Sequence, residues 1–146
     1  MHVTKRKRSL QEEVVIALAR TADELHAPMS EVLRGAGLSI SQYNVLRILR
    51  GAGEEGLPCG EIAARMVRRD PDLTRLLDKL EARGLVSRAR GTKDRRVVTA
   101  TITDEALKLL DSLDEPVEGS LKQALAHVPQ ARLRELLEIV SELRRA

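Results

Sequence analysis

The sequence predicts a mainly helical α+β fold in which four helices precede one small β-hairpin and two long helices follow it. Two observations carry this. Apolar residues recur at helical spacing through most of the 146 residues. The pattern gives way only between Leu85 and Ile102, where two short β-prone runs flank a polar, glycine-containing loop. The length suits one compact module, and no apolar stretch approaches the roughly 18 residues that a membrane span needs. The basic start (Lys5, Arg6, Lys7, Arg8) is not followed by an apolar run with a cleavage site, so it does not read as a secretory signal, and a cytoplasmic location is the expectation.

Ser9 with Glu12 is a capping-box pattern, and Val14, Leu18, Ala22, Leu25, Met29, Val32 and Ala36 then mark a long first helix. Pro28 predicts a kink or break near His26, and Gly35 and Gly37 an end. A second helix is expected to begin near Ser39 or Ser41, with Gln42 three residues beyond Ser39, to carry Tyr43, Val45, Leu46, Ile48 and Leu49, and to stop at Gly51. Pro58 suits the first position of a short third helix with Ile62, Ala63 and Met66 on its apolar face. Asp70 followed by Pro71 reads as an N-cap and first helical residue, so a fourth helix is expected from Asp70 to Arg83. Its buried stripe is Leu73, Leu76, Leu77 and Leu80, and Gly84 ends it. Strands at Leu85 to Ala89 and Val97 to Ile102 enclose the basic loop Arg90 to Arg96. Thr103 caps a long helix in which Pro116 predicts a bend, and a last helix starts near Pro129.

Helices closed by a tight turn and followed directly by a two-stranded hairpin make a winged helix-turn-helix. Charge agrees with that reading. Between Arg65 and Arg96 lie eleven basic and five acidic residues, whereas the whole chain is only +3, so the excess is concentrated where a polyanion would be met. Charge alone is equally compatible with a solvated basic face. With one Tyr, no Phe and no Trp, the chain lacks the aromatic platforms on which single-stranded nucleic acids stack, which favours duplex DNA.

The fourth helix then holds the recognition position, its N-terminal residues facing base edges in the major groove. Thr74 and Arg75 are the candidates for base contact, with Asp72, Asp78 and Lys79 behind them, because Arg pairs with guanine and an acid accepts from cytosine. Arg68 and Arg69 precede the helix as candidate phosphate anchors. In the hairpin loop Arg90, Lys93, Asp94, Arg95 and Arg96 complete the candidate surface. Arg95 or Arg96 is suited to a minor groove, and Asp94 to holding the Arg96 guanidinium extended.

Other chemistry finds little support. Cys59 and three scattered histidines (His2, His26, His127) offer no metal-ligand spacing, and no phosphate loop, nucleophile motif or clustered acids and histidines points to an enzyme or a cofactor. Cys59 reads as a small hydrophobe; a redox-responsive thiol at a helix start is the alternative. A winged helix used for protein contacts is the other alternative to DNA reading.

With these residues in hand, the chain resembles the MarR family of bacterial regulators over its whole length. The resemblance rests on Gln42, Tyr43, Val45 and Leu46, on the stretch Asp70 to Val86, and above all on Asp94, Arg95 and Arg96 before Val97 and Val98. It implies a homodimer built by residues 1–38 and 103–146 as dimerisation helices around a DNA-binding lobe at 39–102, gripping a pseudo-palindromic operator. Leucine stripes on the terminal helices, too wide for a small lobe to cover, point to the same pairing. The resemblance further implies a repressor released by a small aromatic or phenolic effector, in a cleft near Leu18, Ala22, His26, Tyr43 and Arg47.

Overall fold

The computed structural model describes residues 6–68 and 70–144. Helix α1 (Leu10–Gly35) opens on Ser9, whose hydroxyl accepts the Glu12 N–H at 3.1 Å. It runs through Pro28 without the break that residue predicts. A mid-helix proline costs about 3 kcal/mol; here Met29 and Leu33, both buried directly after it, hold the last turns against the core. The helix closes in a Schellman turn, with Leu38 N–H donating to the Leu33 carbonyl and Gly37 N–H to that of Arg34, each at 3.0 Å.

Helix α2 (Ile40–Ala52) starts on a reciprocal capping box: Ser39 Oγ accepts from Gln42 N–H at 3.1 Å, and Gln42 Oε1 from Ser39 N–H at 2.9 Å. It buries Tyr43, Val45, Leu46 and Leu49. The helix passes through Gly51, and the chain reverses at a single 3₁₀ turn, Gly53–Glu55. Gly56 follows at φ +68°, where an added Cβ would stand 2.2 Å from the Ala100 carbonyl oxygen, so only glycine lets the two strands of backbone approach.

Pro58 does not open a helix. Leu57–Pro58 form a short strand, β1, paired antiparallel with Ala100 and Thr99, and helix α3 (Cys59–Arg65) begins one residue later. The sheet therefore has three strands in the order β1-β3-β2, not the two of a bare hairpin. Proline is tolerated because β1 is an edge strand.

Helix α4 (Leu73–Ala82) also starts later than Asp70 and Pro71 predict. Asp70 Oδ1 accepts the Asp72 N–H at 2.9 Å, which forms an Asx turn; Asp72 keeps non-helical angles, and its carbonyl takes the first helical bond, from Leu76. Leu76, Leu77 and Leu80 are buried. Gly84 at φ +72° ends the helix, and Leu85 N–H returns to the Leu80 carbonyl at 3.0 Å.

Strands β2 (Val86–Arg90) and β3 (Val98–Ile102) pair antiparallel from Val86↔Ile102 to Arg90↔Val98. Thr103 caps α5 (Asp104–Ala124) by accepting from Ala106 N–H, and donates to the Gly84 carbonyl at 2.7 Å. Pro116 does not divide α5. Helix α6 (Gln130–Leu143) follows Pro129.

The core gathers Leu33, Leu46, Leu49, Ile62, Leu77, Leu80 and Leu110, and α1 packs along α5. Helix α6 contributes no buried residue: Leu136, Leu137, Ile139 and Leu143 are 49–67% exposed, and Leu10 and Val15 at the start of α1 are 70% and 66% exposed. No described helix is long and apolar enough to cross a membrane.

Candidate nucleic-acid interface

Because α4 turns its leucines inward, Thr74, Arg75, Asp78 and Lys79 are left on the outer face, all exposed. Arg75 meets Asp72 at 3.9 Å, one helical turn away, with both side chains mostly in solvent. An exposed pair of this kind contributes about 0–1 kcal/mol, so it leaves the Arg75 guanidinium free to exchange partners.

Asp78 is placed differently. Arg88 reaches across from β2, and one of its terminal nitrogens donates to Asp78 Oδ1. Arg88 also bonds Glu81 Oε2 through both its backbone N–H (3.0 Å) and its Nε (3.4 Å). Its side chain is 19% exposed, the most enclosed cation of this surface. The Asp78 bond, followed by those of Glu81, holds the guanidinium above its ordinary pKa.

In the β2–β3 loop Asp94 is the hub. Its Oδ1 accepts from Arg96 N–H at 3.0 Å and from Arg96 Nε at 3.2 Å, while Oδ2 takes Nη2 at 3.4 Å. The Arg96 side-chain bond, then the backbone bond, hold the Asp94 carboxyl below the usual carboxylate range. Arg96 nevertheless stays 92% exposed, so the clamp aims the guanidinium outward. Arg90 Nη1 donates to the Arg95 carbonyl at 3.1 Å, and Gly91 N–H to that of Val97 at 2.8 Å, closing the loop. Lys93 and Arg95 project into solvent.

A groove of about 410 Å³ separates α4 from this wing; Thr74 and Leu77 line one wall, Arg96 and Val98 the other, and Cys59 lies between them. Burial pushes the Cys59 thiol up, against an opposing effect of the Arg88 charge. Burial thus works against thiolate formation at Cys59 and the Arg88 charge towards it, with burial the larger effect.

Arg68 is exposed in the α3–α4 linker beside Val67, which is 89% exposed; Arg69 lies outside the described residues. Arg68 does not join the α4 face. It lines a second cleft of about 410 Å³ between α1 and the start of α2, together with Ala22, His26, Ser41, Asn44 and Val67. Of the five residues expected at an effector cleft, only Ala22 and His26 line it. Tyr43 is 2% exposed, in the core, and the Arg47 guanidinium carbon sits 5.6 Å from its ring centroid, facing a separate hollow. Leu18 is 42% exposed and outside the cleft. Ser41 and Asn44 escaped the sequence reading, although two polar residues at i, i+3 on one helix were a usable signal.

Two further contacts fix the lobe. The Arg83 guanidinium donates to the Gly37 and Ala36 carbonyls at 2.7 and 3.0 Å, joining α4 to the end of α1. Arg50 of α2 makes a bidentate pair with Asp114 of α5, at 2.8 and 3.0 Å.

Comparison with known proteins bears on this arrangement. The MarR family model matches residues 38–98, the segment that builds α2 through the wing. The chain is 32% identical over 96 residues to the HTH-type transcriptional repressor MdtR of Bacillus subtilis (strain 168), a match covering 66% of this chain and 61% of MdtR. It thus spans about three fifths of that relative's length. A crystal structure of a MarR transcription factor from Planctomyces limnophilus is 41% identical, with a TM-score of 0.72 over 93% of this chain and 98% of that one. BpsR of Bordetella bronchiseptica, whose DNA binding is regulated by 6-hydroxynicotinic acid, shares the fold at 18% identity, with a TM-score of 0.83 over 97% of this chain and 99% of its own. Matched along almost the full length of a solved member at 41% identity, the chain belongs to the MarR family of DNA-binding transcriptional regulators.

Proposed function

We propose that this regulator is a repressor that binds a pseudo-palindromic duplex operator as a homodimer and lets go when a small ligand fills the cleft between α1 and α2. The observation that carries the DNA reading is the wing, where Asp94 orients a 92%-exposed Arg96 across a groove from Thr74 on α4. In that reading Arg75, Thr74, Lys79 and Asp72 face the major groove, Arg95 and Arg96 the minor groove, and Arg90, Lys93 and Asp94 shape and charge the wing. Arg68, exposed in the linker that leads into α4, would reach a phosphate from beside that face rather than from within it.

The dimer reading is supported by the apolar faces at the start of α1 and along α6, which a second copy would cover. Residues 1–38 and 103–146 then form the dimerisation frame and 39–102 the reading lobe. The ligand reading is supported by the mixed lining of the second cleft and by its sharing of Val67 and Arg68 with the linker into α4. A ligand there acts by preferring the arrangement that misfits DNA, and lowers affinity by that difference. Regulation of BpsR by a small aromatic acid is a precedent within the same fold.

The test is fluorescence anisotropy with the duplex upstream of the protein's own gene and a scrambled control at several salt concentrations. Selective binding that weakens steeply with salt is the expected outcome. Absence of duplex binding at every salt concentration would favour a protein-contact role.

A further inference from the structure

Asp78 and Glu81 lie three residues apart on α4, so both carboxylates stand on the same side of the helix. Left unpaired, they would place two negative charges beside the surface that meets phosphates. Arg88, from the middle of β2, answers both: it donates to Asp78 and Glu81 through its side chain and to Glu81 again through its backbone N–H. These contacts are the polar bridge between the reading helix and the wing, and Arg88 is the least exposed residue of the three, at 19% against 58% and 43%. Its enclosure argues against a direct phosphate contact, since a phosphate would have to displace carboxylates already in place.

We infer that Arg88 is a positioning residue for DNA recognition: it locks the wing to α4 so that both reach their grooves together, with Asp78 serving as its acceptor rather than as a reader of cytosine. This inference rests on the DNA-reading face proposed above. The lock acts in the free protein, before any duplex is present. Losing it frees the wing from α4 and exposes the two carboxylates, so binding suffers both in geometry and in charge.

The experiment uses two readouts on the full chain. Spin labels on Ala82→Cys and Thr92→Cys, in a Cys59→Ser background and diluted with unlabelled protein, report the distance from α4 to the wing without DNA. Duplex affinity and its salt dependence are measured on unlabelled variants. A narrow distance distribution is expected for the parent, and a broadened one for both Arg88→Met and Asp78→Asn. Both variants are expected to bind the duplex at least tenfold more weakly, with the double variant no worse than the weaker single one, and Arg88→Lys, which cannot fork between two carboxylates, only partly restored. Unchanged label distances would overturn the lock, as would an Asp78→Asn variant that binds as well as or better than the parent while Arg88→Met fails, the pattern of a direct phosphate contact. If the labels respond but no form binds duplex, the lock stands and the DNA-reading proposal falls.

Discussion

At the scale of single residues, Asp94 and Arg75 separate charge from geometry. A carboxylate on a DNA-facing wing repels phosphate, so on charge alone Asp94→Asn should tighten binding. The clamp on Arg96 predicts the reverse, a loss of about five- to tenfold, corresponding to roughly 1 kcal/mol for one well-placed charged hydrogen bond. Duplex titration distinguishes the two signs. Arg75→Ala should lower affinity for the preferred duplex and flatten discrimination at one base pair by about 1–3 kcal/mol, read from a panel of singly substituted duplexes. The Asp94–Arg96 pair was legible in the sequence because its members are two residues apart and share a tight loop. The Arg88–Asp78 pair was not: the partners lie ten residues apart and meet only when β2 folds back beside α4, and an exposed acid on a reading helix invites a base-contact interpretation.

At the scale of elements, local hydrogen-bond signals were the dependable guides. Ser39 with Gln42, and Thr103, cap their helices as their side chains dictate. Asp70 makes the bond expected of a cap, yet the chain spends Pro71 and Asp72 in a turn before α4 begins, because the same bond also closes an Asx turn. Strand β1 was invisible: two residues show no periodicity, and Leu57 and Pro58 become a strand only because β3 lies alongside. Arg50 and Asp114 tie α2 to α5, and the Arg50 bond holds the Asp114 carboxyl below its ordinary range. A depressed carboxylate stabilises the fold above its unfolded pKa and loses that contribution as pH falls through the folded value. The tie should therefore be intact at neutral and mildly acidic pH and fail only below about pH 4. Because Asp114 is about half exposed, Asp114→Asn should cost no more than about 1 kcal/mol. Thermal unfolding at pH 7 should show a drop of a few degrees that shrinks towards pH 3.

At the scale of the whole molecule, the leucine stripes of the terminal helices foretold an apolar face wider than one lobe covers, and α6 shows it. The cleft between α1 and α2 was less legible, because its walls come from α1, α2 and the α3–α4 linker, three segments that no spacing rule relates. If α6 is a dimer face, Leu137→Glu buries a carboxylate in it, whereas on a free surface the change would be nearly silent. Each leucine withdrawn from water contributes roughly 1.5–3 kcal/mol, so the substitution should yield monomers, seen by light scattering, and abolish tight operator binding. A dimer of unchanged mass and affinity would place the interface elsewhere.

The measurement that tests the central claim most directly is sedimentation velocity of the protein with a labelled duplex from upstream of its gene, at low and at high salt. The account predicts a complex of two chains on one duplex that dissociates as salt rises, and no such complex with Leu137→Glu. A single chain bound at full affinity, or no complex in either buffer, would contradict it.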